Sequence, residues 1–439
     1  MIVLALVITA TPITLEEVRA LARQNLDAVR SELALTRAGI DRADARAPIL
    51  PQVSLNMGVS ERLGGPQRLF TTAPQLQPDG SLSFVQRAVD IPSFAQGNFQ
   101  LQLAVNQLLY DGGRWWNQLA RTGAFEEAAK GQLAEQQAAS ELEAVRRFFE
   151  LLRAQVVLKT LESQVKRSEE QVARAKALFE AGRGSKSDVL VAEVSLGTDQ
   201  INAIRQVQSL ISARVALLQW LGQGLREVEA QAPKGFEAPL VPVTVAEATL
   251  LESARKNRPL FQVLEAQARG TRLGVDIARA DYLPRVSANA AYQRTSPSAE
   301  LFFDPGRQHA VSFGATLAWD LFSGFATNNQ VDRATVQLTE LERQQRQALI
   351  ELETEIARLA QAYGAQAEIT KIATRNHALA TENLRSEEQR FAAGASTSVL
   401  VREAQNRSLA AELNLVQTRV DVEVAKAALE RLTAAPLDS

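Results

Sequence analysis

The second half of this 439-residue chain repeats the first, landmark for landmark, and each copy sets two short alternating segments ahead of one long stretch without proline. Ile13-Thr14-Leu15-Glu16-Glu17 returns as Val243-Thr244-Val245-Ala246-Glu247, and Leu50-Pro51-Gln52-Val53-Ser54 returns as Leu283-Pro284-Arg285-Val286-Ser287. Leu109-Tyr110-Asp111-Gly112 recurs as Leu321-Phe322-Ser323-Gly324, and Phe179-Glu180-Ala181-Gly182 as Phe391-Ala392-Ala393-Gly394, both 212 positions later. A catalytic domain rarely needs such equal spacing, whereas a symmetric tube does. The repeat predicts one elongated body of two similar halves, not the two or three compact domains that length alone suggests.

The alternating segments predict four strands. Val53, Leu55, Met57 and Val59 alternate with Ser54, Asn56, Gly58 and Ser60, and Phe99, Leu101, Leu103 and Val105 alternate with Asn98, Gln100, Gln102, Ala104 and Asn106. In the second copy Val286, Ala288, Ala290 and Tyr292 alternate with Ser287, Asn289, Ala291 and Gln293; Val311, Phe313, Ala315, Leu317 and Trp319 alternate with Ser312, Gly314, Thr316 and Ala318. A period of two is the signature of a strand. The second face carries small neutral groups and hardly any charge, unlike the Lys and Glu that coat a solvent-facing sheet. Apolar residues toward lipid and small polar ones toward a water-filled lumen give the outer-membrane strand pattern. Tyr110, Trp115 and Trp116 in one half, with Trp319, Phe322 and Phe325 in the other, gather where strands end, which suits either an interfacial girdle or core packing at a strand-to-helix joint. Four strands cannot close a barrel, so several chains must each contribute four.

The rest reads as helix. No proline occurs between Pro92 and Pro233 or between Pro305 and Pro436, and all 15 prolines fall where loops, segment starts or termini are expected. Leu142, Val145, Phe149, Leu152 and Val156 form a coiled-coil seam, repeated by Leu349, Leu352, Ile356, Leu359 and Tyr363. Each long helix ends in a turn with Gly182 or Gly394 at its C-terminus, and Ser187 or Ser398 is placed to cap the returning helix.

Composition excludes other classes. The net charge of -2 leaves no basic footprint for nucleic acid. There is no Cys, and the two histidines, His309 and His377, are far apart, so no thiolate or multi-His metal site, cofactor site or His-centred triad is expected. No run of 18 apolar residues predicts a transmembrane helix.

The Phe-x-Ala-Gly turns with their following Val-Leu, the Leu-Tyr-Asp-Gly-Gly-Arg run at 109–114 and the Thr-Leu-Glu-Glu start resemble, in duplicate and in order from about Ile13 to Leu432, the TolC-like outer membrane efflux protein family. The resemblance implies a mainly α fold with a small transmembrane β part: a homotrimer with a twelve-stranded barrel in the outer membrane of a Gram-negative bacterium. A twelve-helix tunnel would continue it into the periplasm. It implies a non-enzymatic exit duct of an efflux or type I secretion system, partnered by lipid, a periplasmic adaptor and an inner-membrane pump. The alternative is a soluble coiled-coil scaffold or adaptor protein.

On this reading residues 1–12 are a remnant signal or tail, and 13–222 form the first repeat, with strands near 51–61 and 97–110, a long helix near 114–179 and a return helix near 187–221. Residues 223–242 are a linker. The second repeat, 243–434, has strands near 284–294 and 308–320 and helices near 326–391 and 398–432, and 435–439 are a tail. The stretch from Glu61 to Gly97 is expected to be a long loop.

By resemblance the adaptor-contact tip turns are Phe179, Gly182, Ser185, Asp188, Val189 and Leu190 in the first repeat, and Arg390, Phe391, Gly394, Thr397, Val399 and Leu400 in the second. Ser398 stands where family members often carry aspartate, so Asp188 is the candidate entrance gate, with Arg183 or Lys186 as its local partner. The family's basic residue after the second-turn glycine is replaced by Ala395 and Ser396, so the familiar lock between halves is not expected.

Overall fold

The computed structural model describes residues 11–236, 247–298, 303–304 and 309–435. The leading segment 1–10, the connector beyond 236, the Val243 to Ala246 part of the second start motif, most of the loop 299–308 and the tail from Pro436 lie outside the described residues. In chain order the elements are β1 (Thr11–Ile13), α1 (Leu15–Ala22), α2 (Leu26–Asp44), β2 (Gln52–Gly64), β3 (Gln67–Leu76), β4 (Leu82–Ile91), β5 (Phe94–Asp111), α3 (Arg114–Glu180) and α4 (Lys186–Trp220). There follow β6 (Val228–Ala230), α5 (Glu247–Asn257), α6 (Pro259–Arg279), β7 (Arg285–Ser296), β8 (His309–Ala318), α7 (Ala326–Ala392) and α8 (Ser398–Thr433). Each repeat thus supplies strands, a helix of 67 residues and a return helix. At 1.5 Å per residue each long helix runs about 100 Å.

Contacts divide the chain into two units. The first gathers Ile40–Gly123 and Arg269–Thr339, and its centre is an antiparallel sheet in the order β2-β5-β7-β8. Register explains the alternation seen in the sequence. Leu55 faces Leu103, which faces Tyr292, which faces Val311; Val53 faces Val105, then Ala290, then Phe313. The polar set aligns in the same way, through Asn56, Gln102 and Gln293 and through Ser54, Ala104, Ala291 and Ser312. A slip of one residue on any strand would mix the two faces.

One irregularity matters. The β5–β7 register shifts between Leu108 and Tyr110, so Leu109 is an extra residue and Tyr110 comes to face Val286, which faces Leu317. Strict alternation would leave Tyr110 in the polar set; the bulge moves it to the apolar face.

The expected loop from Glu61 to Gly97 is instead largely strand. β2 and β5 run longer than the sequence pattern suggests, and β3 and β4 form a further hairpin closed by Gln77-Pro78-Asp79-Gly80-Ser81. Pro74, expected in a loop, lies within β3 opposite Phe84. Proline is tolerated there because β3 has a partner on one side only.

The second unit gathers the described parts of Met1–Gly39, Ala124–Ala268 and Glu340–Ser439. Its main core is built where the α3 seam, with Leu142, Val145, Phe149 and Leu152, meets Leu217 and Leu218 of α4, Val18 of α1 and Val420 of α8. Phe148 and Phe149 are fully buried and meet edge to face. The parallel pair β1–β6 joins the start of the first repeat to the segment after α4, with Ile13 and Val228 buried in the same core. The α7 seam residues Leu352 and Ile356 pack in a second cluster with Leu250, Leu429 and Leu432.

Candidate functional site

Two places carry the chemistry of this chain: the open sheet of the first unit and the helical tips of the second. The sheet has two edges, β2 and β8, neither of which has an outer partner among the described residues. Its apolar face is bare. On these two strands Val53, Leu55, Met57, Val59, Val311, Phe313 and Leu317 are each 59 to 82% exposed. An open, flat, apolar edge of this kind aggregates in water, and in lipid it leaves backbone groups unpaired.

At the end of the sheet where the helices begin, Tyr110, Trp116, Trp319 and Phe322 are exposed, with Tyr282 and Phe325 beside them in kind. The Trp319 indole donates to the Tyr282 carbonyl at 3.0 Å. Trp115 departs from the girdle expectation. It is only 9% exposed and its ring meets Trp116 edge-on at 4.0 Å, so it packs inside the joint while Trp116 faces out. Consecutive helical residues point about 100° apart, which is why the pair cannot share one surface.

The joints themselves follow one design. Gly112 and Gly113 have φ of 71° and 84°, and the Asp111 carboxylate accepts from the Trp115 N–H at 2.9 Å. In the second repeat Gly324 and Phe325 have φ of 62° and 65°, and the Ser323 hydroxyl accepts from the Thr327 N–H at 3.4 Å. A side chain at Gly112 would run into the Ala280 carbonyl, so glycine is required there for space as well as for φ.

The tips are also built alike. After α3, Gly182 takes φ 71°, its N–H donates to Phe179 O at 3.0 Å, and Arg183 N–H donates to Leu178 O at 2.9 Å. After α7, Gly394 takes φ 75°, donating to Phe391 O at 3.0 Å, while Ala395 N–H donates to Arg390 O at 2.8 Å. Both are Schellman closures.

The caps of the return helices lie earlier than Ser187 and Ser398. Ser185 accepts from Asp188 N–H, and Asp188 in turn accepts from the Ser185 N–H at 3.1 Å and its hydroxyl at 2.7 Å. This reciprocal box explains why Ser185 is chosen over Ser187. Hydrogen bonds from the Ser185 hydroxyl and backbone hold the Asp188 carboxyl below the ordinary aspartate range. Its partner is therefore Ser185, not Arg183 or Lys186. In the second tip Thr397 caps Leu400 N–H at 3.4 Å, and Leu400 has no group to return the bond. A different clamp secures that turn: Glu387 accepts from the Ser396 hydroxyl at 2.7 Å and from Arg390 at 2.6 Å. The Ser396 bond, helped by the charge of Arg390, draws the Glu387 carboxyl down.

Between the tips runs a groove of about 950 Å³. Asp188, Phe391, Thr397 and Val399 line it together with Arg174 and Gln405. Phe179, Leu190 and Leu400 are exposed but lie outside the groove lining, as do Gly182, Ser185, Val189, Arg390 and Gly394.

The structure adds a site that the sequence reading missed. Asp199 of α4 is 5% exposed and receives both guanidinium nitrogens of Arg402 of α8 at 2.8 Å each, with Ser168 of α3 donating at 2.5 Å and Gln164 at 3.4 Å. Burial pushes this carboxyl up, but the hydrogen bonds from Arg402 and Ser168 and the Arg402 charge outweigh it and hold it low. The halves are therefore joined by an ion pair near the tips, through residues other than those at the turn glycine. The available signal was Arg402 beside the apolar Val399-Leu400-Val401 run. Deeper in the unit Glu135 of α3 accepts from Arg258 at 2.8 Å and from Arg431 at 3.0 Å, a second link between repeats.

Among the described residues no cluster of His, Cys, Asp and Glu is suited to hold a metal ion. No described helix is long and apolar enough to cross a membrane.

Comparison with known proteins bears on both places. The chain is 26% identical over 310 residues to protein CyaE of Bordetella pertussis, a match covering 67% of this chain and 58% of CyaE. Its fold is that of the outer-membrane channel OprN, at 20% identity with a TM-score of 0.75 over 97% of this chain and 91% of that one. The outer membrane protein VceC of Vibrio cholerae aligns at 16% identity with a TM-score of 0.73, covering 97% of each chain. The profile described as outer membrane efflux protein matches residues 16–223 and 250–435, which is most of both repeats, and the chain belongs to that family.

Proposed function

We propose that this protein is the outer-membrane exit duct of a tripartite efflux or type I secretion system, a homotrimer whose three sheets close one twelve-stranded barrel. The observation that carries this reading is the sheet register. Over 53–60 and 310–318 it gathers the large apolar side chains of β2 and β8 onto one bare face and Ser, Asn, Gly, Thr and Ala onto the other, with both edges open among the described residues. Four strands fall short of the roughly eight in the smallest single-chain membrane barrels. Two copies would give eight and an interior filled by side chains; three leave a channel. The repeats, read as 13–222 and 243–434, then surround the threefold axis as six similar units.

The tips are the proposed docking point for a periplasmic adaptor that links the duct to an inner-membrane pump. Exposed Phe179, Leu190, Val399 and Leu400 offer apolar contacts, and the groove between the tips suits an inserted helix. Asp188 remains the candidate gate. Its exposed, ionised carboxylate, repeated three times, would favour cations at the entrance. Asp188→Asn should then lower cation preference in single-channel recordings, and unchanged selectivity would remove Asp188 from this role.

The reading is tested by purifying the full chain from outer membranes in detergent, then measuring its mass and its planar-bilayer conductance. A trimer with small, mostly closed conductance is expected. A soluble, non-conducting species would instead point to a coiled-coil scaffold.

A further inference from the structure

The β3–β4 hairpin is not a separate feature laid beside the sheet. Gly64 pairs with Phe94 and Gln67 with Ile91, so one register runs through the interruption and brings Pro66 opposite Pro92. Neither proline has an N–H to give, and the ladder breaks on both strands at one level. Beyond the break ten residue pairs continue from Gln67–Ile91 to Leu76–Leu82, roughly 30 Å at the rise of a strand.

The character of the faces changes across this break. Counted two by two from Ser54, Asn56, Gly58 and Ser60, the small polar face of the sheet leads past the prolines to Phe70, Pro74 and Leu76. On the partner strand the same face carries Leu82 and Phe84. Phe70, Leu76, Leu82 and Phe84 are 64 to 72% exposed. The hairpin's charges on this face, Arg68 and Asp90, neutralise one another across the strands, with Nε to Oδ1 at 2.6 Å and Nη2 to Oδ2 at 3.1 Å, while Arg62 lies on the sheet side of the break. A two-stranded ribbon is marginal in water by itself. This one presents two phenylalanines and two leucines on the side where the sheet below presents Ser, Asn and Gln.

We propose that the occupant of this apolar face is the same face of the other copies. The three hairpins, bent at the paired prolines, lean together over the axis and form an apolar constriction at the external mouth of the duct. This rests on the trimeric-duct reading above, because the polar sheet face must line the lumen for its continuation to point at the axis. The inference follows from continuity: β3 and β4 prolong β2 and β5, so closing the barrel brings three copies of the hairpin to one rim. A constriction lined by Phe and Leu would resist wetting and the passage of small ions while yielding to a large apolar cargo.

The chain contains no cysteine, which makes the test clean. Single variants Phe84→Cys and Val85→Cys, on opposite faces of β4, are purified as full-length protein and oxidised with a copper catalyst. Covalent dimers are expected for Phe84→Cys, at least ten-fold above Val85→Cys. In a trimer, equal cross-linking of the two, or none, overturns the proposal. Access gives a second readout. Gln102→Cys on the polar sheet face is labelled in intact cells with a bulky, impermeant maleimide. Combining it with Phe70→Ser and Phe84→Ser should speed labelling at least ten-fold, and an unchanged rate overturns the constriction. If Gln102→Cys stays unreactive even to a small maleimide while Leu103→Cys reacts, the polar face does not line a lumen, and the duct reading itself fails.

Discussion

The two repeats trace the same backbone path at their joints and tips, yet secure it with different side chains. At the first joint Gly112 and Gly113 provide two left-handed residues, whereas the second joint asks the same of Gly324 and Phe325. A bulky side chain at positive φ costs about 1–2 kcal/mol. At the first tip Asp188 completes a capping box; at the second Leu400 occupies the equivalent position, and Glu387, Arg390 and Ser396 hold the turn from the other side. The comparison teaches that the path is the invariant. In the proposed trimer, six similar units would need hairpins that end at one level. Any local chemistry that delivers this geometry suffices.

The largest expected effect breaks the link that joins the repeats. Arg402→Leu leaves Asp199 buried without its cation and should destabilise the tip region by about 3 kcal/mol, read as faster hydrogen exchange in α4 and α8. Adding Asp199→Leu should restore most of that loss, since an apolar pair of similar volume carries no desolvation cost. Acid adds a signature. Because the Asp199 carboxyl is held below its ordinary value, its contribution is full above the unfolded aspartate range and disappears as pH falls through the lowered folded value. Arg402→Leu should abolish that loss on acidification, because protonation then relieves a buried carboxylate that has no cation beside it.

At the joints, exchanging the residues of the two repeats sharpens the contrast. Gly113→Ala should cost about 1 kcal/mol, as the backbone alone opposes a side chain there. Phe325→Gly should stabilise by roughly 0.5 kcal/mol once relief of positive φ is set against glycine's greater freedom when unfolded. Denaturant titration of the detergent-solubilised protein measures both, and a loss of stability in Phe325→Gly would mean that its edge-on contact with Phe322 outweighs the strain.

The smallest effects lie in the caps. Ser185→Ala should cost about 1 kcal/mol and Thr397→Ala about half as much, because only the first belongs to a reciprocal box. Leu400→Asp should make the second tip resemble the first, adding a few tenths of a kcal/mol seen as slower exchange at the start of α8.

Much of the sheet was legible in the sequence. Alternation located β2, β5, β7 and β8 because a period of two with one apolar face has few other interpretations. The β3–β4 hairpin was hidden by its prolines, although Pro78-Asp79-Gly80 between two β-rich runs is itself a turn signal. The turn glycines of the tips were equally plain. Asp199 was not, because whether a carboxylate on a long helix faces water or a neighbouring helix depends on partners more than 200 residues away, here Arg402.

By itself the sequence determined the repeat, the strand and helix periods and the turn glycines, since all of these are local or periodic properties. The tertiary structure decided the rest. It placed Tyr110 on the apolar face through one extra residue and turned Trp115 inward. It also brought Arg402 onto a buried aspartate. Each of these depends on which atoms from distant segments come within a few ångströms, and periodicity carries no information about that.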